Sequence, residues 1–194
     1  MRLIALLSSL LLPALLPLPA AAADGDKPSR YDIEVLVFEN RLPELAGDEL
    51  VGRDPAALRK KALENAVLPA PGAGESYLQP GVAKLLEADG HYRVLAHAHW
   101  QQTLEPNPKT PVKPVRIAAA DPNELDGSVR FIMSRFLHLD VTLLFQPAPA
   151  DNTAPMTYTI NEQRRIKSQE THYFDHPRFG VLVRVLPLDV PERR

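Results

Sequence analysis

No cysteine occurs among the 194 residues, which excludes disulfide bonds, thiolate metal sites and a thiol nucleophile. Nothing is therefore available for acylation behind an N-terminal apolar run, and a bacterial lipoprotein anchor is not expected. An excess of positive charge is also missing. The chain has 22 Lys and Arg against 24 Asp and Glu, a balance without the basic stripe of a nucleic-acid binder. No His-Glu-x-x-His, Gly-x-Ser-x-Gly or phosphate-loop pattern appears, so the common signatures of zinc proteases, serine hydrolases and nucleotide enzymes are absent. Without disulfide staples to rely on, a chain of this length must be held by the packing of one core.

The one long apolar run is at the start. Arg2 precedes an almost unbroken apolar stretch over residues 3–16, interrupted by Pro13 and followed by Pro17, Pro19 and small residues at 20–23. This pattern predicts a signal peptide over residues 1–23. The run falls short of the roughly 20 apolar residues of a spanning helix, so no membrane span is expected after cleavage; an uncleaved anchor is the competing reading. Residues 24–194 are expected to form a single exported domain.

Within that domain, residues 24–30 read as a polar leader. Residues 31–38 alternate Tyr31, Ile33, Val35 and Val37 with Asp32, Glu34, Leu36 and Phe38. The second face begins polar and ends apolar, which predicts a strand inside a sheet, covered on both sides at one end. Asp54 before Pro55 is a helix start signal, and Leu58 and Leu63 mark a helix over 54–65. A second helix is expected over 79–88, burying Leu85 and Leu86 and closing at Gly90.

Residues 92–102 form the next expected strand. Tyr92, Val94, Ala96, Ala98 and Trp100 share one side; Arg93, Leu95, His97, His99 and Gln101 share the other. His97 and His99 thus point the same way, as paired zinc ligands do, although a half-exposed polar strand face is the simpler account.

Four prolines make 105–114 a stiff connection, and 115–119 reads as a short strand. From 129 to 145 the odd positions are apolar except Arg135, and Ser128, Arg130, Ser134, His138, Asp140 and Thr142 lie opposite. This period predicts one long strand, bent near Ser134 and Arg135. Residues 156–174 and 179–186 then form a hairpin, and 189–194 a loose tail. The expected class is α+β: a twisted antiparallel β-sheet with a C-terminal meander of long strands and two or three short helices packed on one face. Periodicity does not order the strands.

The final hairpin, 161–186, is the part richest in groups able to hold a ligand. At this point the chain resembles the CsiV family of exported bacterial peptidoglycan-binding proteins, named for cell shape integrity. The residues that carry the resemblance are the run 31–38; Tyr92, Arg93, Val94 and Leu95 with Trp100 and Gln101; Leu125, Asp126 and Gly127; and above all Arg164 and Arg165, the run His172, Tyr173, Phe174, Asp175, His176 and Pro177, and Phe179 with Gly180. Residues 48–74 and 105–121 carry none of these blocks. The resemblance implies a periplasmic, non-enzymatic protein without a cofactor. It further implies contact with peptidoglycan and support of an outer-membrane lipoprotein activator of a bifunctional penicillin-binding protein.

Peptidoglycan offers stem-peptide carboxylates and sugar rings with apolar faces. Arg164, Arg165 and Arg178 are candidate carboxylate contacts, because a guanidinium donates two parallel hydrogen bonds. Neighbouring strand residues face opposite ways, so at most one of Arg164 and Arg165 shares a given site. Tyr173 or Trp100 could present a flat surface to a sugar, although Trp100 lies on the apolar side of its strand, where a core role is the commoner one. His172, Asp175 and His176 raise a second hypothesis, a metal-dependent or acid/base cell-wall hydrolase. The plainer reading has Asp175 capping the turn and His176 with Pro177 fixing its backbone. A third hypothesis is an envelope protein-interaction module without glycan affinity.

Overall fold

The computed structural model describes residues 28–42, 54–70, 72, 76–78, 81–88, 90–148 and 155–188. The expected signal segment and the tail 189–194 lie outside them. Along the chain the elements are β1 (Ser29–Asn40), α1 (Pro55–Leu63), α2 (Gly81–Glu87), β2 (Tyr92–Leu104), β3 (Val115–Arg116), β4 (Leu125–Met133), β5 (Leu137–Phe145), β6 (Tyr158–Arg165), β7 (Thr171–His176) and β8 (Phe179–Pro187). They make two four-stranded antiparallel sheets, ordered β2-β1-β8-β7 and β3-β4-β5-β6.

The inner faces of the two sheets meet in one core. Ile33, Val35 and Val37 of β1 and Val181, Val183 and Val185 of β8 pack with Val129 and Phe131 of β4 and with Leu139, Val141 and Leu143 of β5. The α+β class and the long C-terminal strands are as the sequence indicates. The strands divide between two sheets, however, and each sheet has a helix on its outer face. Ser128 Oγ donates to the Ala62 carbonyl at 2.7 Å and ties α1 to the second sheet. On the first sheet, α2 brings Ala83 and Leu86 against Leu36, Phe38, Tyr92 and Leu182. This is the double cover expected for the apolar end of β1. Both helix signals hold: Asp54 Oδ1 accepts from the Ala57 amide at 3.1 Å beside Pro55, and Gly90 takes a φ of 73° past the end of α2.

Three details differ from the periodic reading. The run 129–145 is two strands, because residues 134–136 turn the chain and Met133 faces Leu137 across the ladder. Three residues between paired positions leave the odd set on the same side, so alternation passes through the turn unbroken. The run 156–174 is likewise interrupted: β6 belongs to the second sheet and β7 to the first. Finally, the β1–β2 register shifts between Val37 and Phe38, which pair with Ala96 and Val94. Leu95 is the extra residue of a bulge, so it joins the inter-sheet core while Tyr92 turns outward onto Phe38.

Candidate functional site

The C-terminal hairpin is shorter than expected: β7 alone pairs with β8, and Pro177 and Arg178 lie between the paired residues His176 and Phe179. Its ligand-type side chains do not converge. β7 and β6 are edge strands of opposite sheets, and the residues they carry are dealt out to separate surroundings. Arg164 reaches from β6 to β7, its guanidinium 4.0 Å above the Phe174 ring and donating to the Tyr173 carbonyl at 3.0 Å. Arg165 faces the other way, 3.3 Å above the ring of Phe136. His172 Nε2 lies 2.8 Å from the Lys167 carbonyl in the preceding turn. The His176 ring stands 5.6 Å from Tyr158 and accepts the Arg178 amide at its Nδ1, while the Arg178 guanidinium lies 5.4 Å from the Tyr158 ring. The turn is therefore closed by His176, not by Asp175, which accepts from the Tyr173 hydroxyl at 2.7 Å.

Tyr173 is 45 % exposed on the outer face of the first sheet and stacks on Phe38 at 6.1 Å. Partial burial, reinforced by the hydrogen bond to Asp175, pushes its hydroxyl pKa up. Trp100 corrects the expectation of an aromatic platform: it is 2 % exposed, packed edge-on against Phe131 in the core, and offers no surface to a ligand.

The polar end of that same outer face holds a buried acid and imidazole group. His97 Nε2 lies 2.6 Å from Glu34 Oε1, and His99 Nε2 lies 2.9 Å from Asp32 Oδ2. Glu34 also accepts from the amides of Tyr77 and Leu78, at 2.8 and 2.9 Å, and from the Ser76 hydroxyl. Burial alone would raise the Glu34 pKa, but the hydrogen bonds from His97, Ser76, Leu78 and Tyr77 outweigh it and hold the carboxyl at about 2. The two histidines thus face the same way, as the alternation indicates, and are bound to carboxylates of β1. Among the described residues no three His, Cys, Asp or Glu are grouped to hold a metal ion.

A concave surface lies on the outer face of the second sheet. Two transverse rows form its floor: Ser128, Thr142 and Asn161 lie opposite one another across β4, β5 and β6, as do Arg130, Asp140 and Gln163. With α1 and residues 111–114 on its rim, the groove encloses about 730 Å³. Arg130 donates from Nε and from its terminal nitrogen to Asp140 Oδ2, and the Thr142 hydroxyl donates to Asn161 Oδ1 at 3.2 Å. Asp140 Oδ1 is buried without a partner. The sequence signal for this surface was the polar even set of 128–142, which alternation assigns to one face without indicating that a helix and a proline-rich loop would wall it.

These features define a class, an antiparallel two-sheet domain with a polar groove on one outer face. The family is shown by sequence comparison: the model of the family described as peptidoglycan-binding protein, CsiV, matches residues 71–188, more than half of the chain, and the protein belongs to that family. No curated protein and no solved structure matches it. The match takes in β2 to β8 and leaves β1 and α1 before it. Among the described residues, no helix is long and apolar enough to cross a membrane.

Proposed function

We infer that the protein is a non-enzymatic peptidoglycan-binding protein of the periplasm that supports cell-wall assembly by assisting a lipoprotein activator of a bifunctional penicillin-binding protein. Membership of a family described as peptidoglycan-binding supports the binding step, and the partnership rests on the resemblance alone. The dispersal of His172, Asp175 and His176 supports its non-enzymatic part, since each is engaged by a separate neighbour: the Lys167 carbonyl, the Tyr173 hydroxyl and the Arg178 amide. A general acid and base must reach one substrate together, and these three do not share a surface. The N-terminal segment supports export, and the wall lies in the compartment to which export leads.

Co-sedimentation with purified sacculi at two salt concentrations tests the binding step. The protein is expected to sediment and to be released in part by salt, because contacts to stem-peptide carboxylates are screened. A folded protein that stays in the supernatant at low salt would favour the interaction module instead. The partnership is tested separately, by co-purification of the penicillin-binding protein activator from envelope extracts.

A further inference from the structure

We propose that the groove between α1 and the outer face of β4, β5 and β6 binds the stem peptide of peptidoglycan and leaves the glycan strand outside. The inference rests on the peptidoglycan-binding reading and assigns it a site. At about 730 Å³ the groove falls within the roughly 300–1,000 Å³ of ligand pockets.

Its chemistry separates the two halves of the polymer. Among the described residues no aromatic ring lines the groove, so they offer no flat apolar platform for the face of a sugar. The groove carries charges of both signs instead. Lys61 and Lys113 stand on the rim, exposed, and neither is in an ion pair among the described residues. Asp140 lies on the floor with Oδ2 taken up by Arg130 and Oδ1 buried and unmatched. A stem peptide is a short chain with several carboxylates, backbone amides and, where it is not cross-linked, a free ammonium group. Its carboxylates match the lysines, and an N–H or ammonium donor matches the orphaned Asp140 oxygen, whose desolvation is otherwise uncompensated. Asn161 and Gln163, two apart on β6 and therefore on one face, supply amides able both to donate to and to accept from a peptide backbone.

The hairpin guanidiniums are the competing carboxylate contacts. Arg164 and Arg165 already lie on the rings of Phe174 and Phe136, whereas the groove lysines form no ion pair among the described residues.

The test uses protein recovered from the envelope after expression of the full chain, and two soluble probes: stem peptides released from sacculi by an amidase, and the peptide-free glycan strands left behind. Stem peptides are expected to bind by calorimetric titration and the glycan strands not to bind. Asp140→Asn should weaken stem-peptide binding about tenfold, as expected for one charge-assisted hydrogen bond. Lys113→Glu, an exposed change that leaves folding intact even if Asp140→Asn disturbs Arg130, should weaken it several-fold with an unchanged thermal midpoint. Binding of the glycan strands alone, or stem-peptide binding indifferent to both variants, overturns the proposal. If sacculi still retain both variants as well as the wild type, the groove is excluded and the peptidoglycan reading stands. If the wild type does not sediment with sacculi, both fall.

Discussion

Glu34 concentrates more interactions than any other buried carboxylate described above. It is 2 % exposed and fastens residues 76–78 to the first sheet, Oε2 accepting from the amides of Tyr77 and Leu78 and Oε1 meeting both the Ser76 hydroxyl and His97. Its pKa is lowered from an ordinary 4.5 to about 2, so the stabilisation is complete above the upper value and is lost as pH falls through the lower one. Thermal midpoints measured between those two values should decline on acidification. Glu34→Gln should lower stability at neutral pH by about 2 kcal/mol and flatten that decline; a variant with the wild-type acid profile would show that another carboxylate controls it. The two adjacent arginines should also separate. Arg164 joins an edge of one sheet to an edge of the other through Phe174 and the Tyr173 carbonyl, and Arg164→Ala is expected to cost about 1 kcal/mol. Arg165 stacks within its own sheet, so Arg165→Ala should lower the thermal midpoint less. That these neighbours cannot share a site was legible from strand parity; that both lie on aromatic rings was not, because Phe136 and Phe174 are distant in sequence.

β4 contains a glycine whose place in the family pattern has a steric reason. Gly127 takes a φ of 151° against β5, where a Cβ would stand 2.1 Å from the Thr142 carbonyl oxygen. Backbone atoms cannot give way as a side chain end can, so Gly127→Ala should cost about 3 kcal/mol or more, seen as a large fall in thermal midpoint. Asp126 beside it is held by the Arg116 guanidinium through two bonds, at 2.8 and 3.0 Å. At Gly180 a Cβ would meet Phe38 Cζ at 2.5 Å and Tyr173 Cε2 at 2.7 Å. Tyr173 is half-exposed and can swing aside, but Phe38 is buried beneath α2, so Gly180→Ala should shift the near-ultraviolet circular dichroism of the tyrosine and also lower the thermal midpoint. The blocks by which the chain resembles its family are thus in good part building elements of the sandwich. The helices, β1 and β8 could be read from caps and alternation, whereas the run before β8 splits between the two sheets. The break between β4 and β5 could not, because its turn preserves parity, and neither could the Leu95 bulge, which changes parity without any glycine or proline to mark it.

In the whole molecule, the first strand lies between the second and the last, with Tyr31 paired to Pro187 on one side and to Gln102 on the other. No local pattern carries that information, which is why strand order stayed open at the level of sequence. Pairings so distant along the chain close slowly, and refolding from denaturant is expected on the order of milliseconds to seconds; a microsecond phase that recovers all the native signal would contradict the topology. The groove shows the same limit, since its floor strands and its helical wall lie far apart along the chain and meet only on folding. The central place of β1 also bears on how such a chain travels. Delivered through a narrow channel with its first residues leading, it emerges with β1 and β2 early and must wait for β8, so the first sheet stays an unfinished template until the rear of the chain arrives. Once β1 has passed such a channel, the part of the chain still behind it lacks the central strand of the first sheet, and that sheet cannot close there.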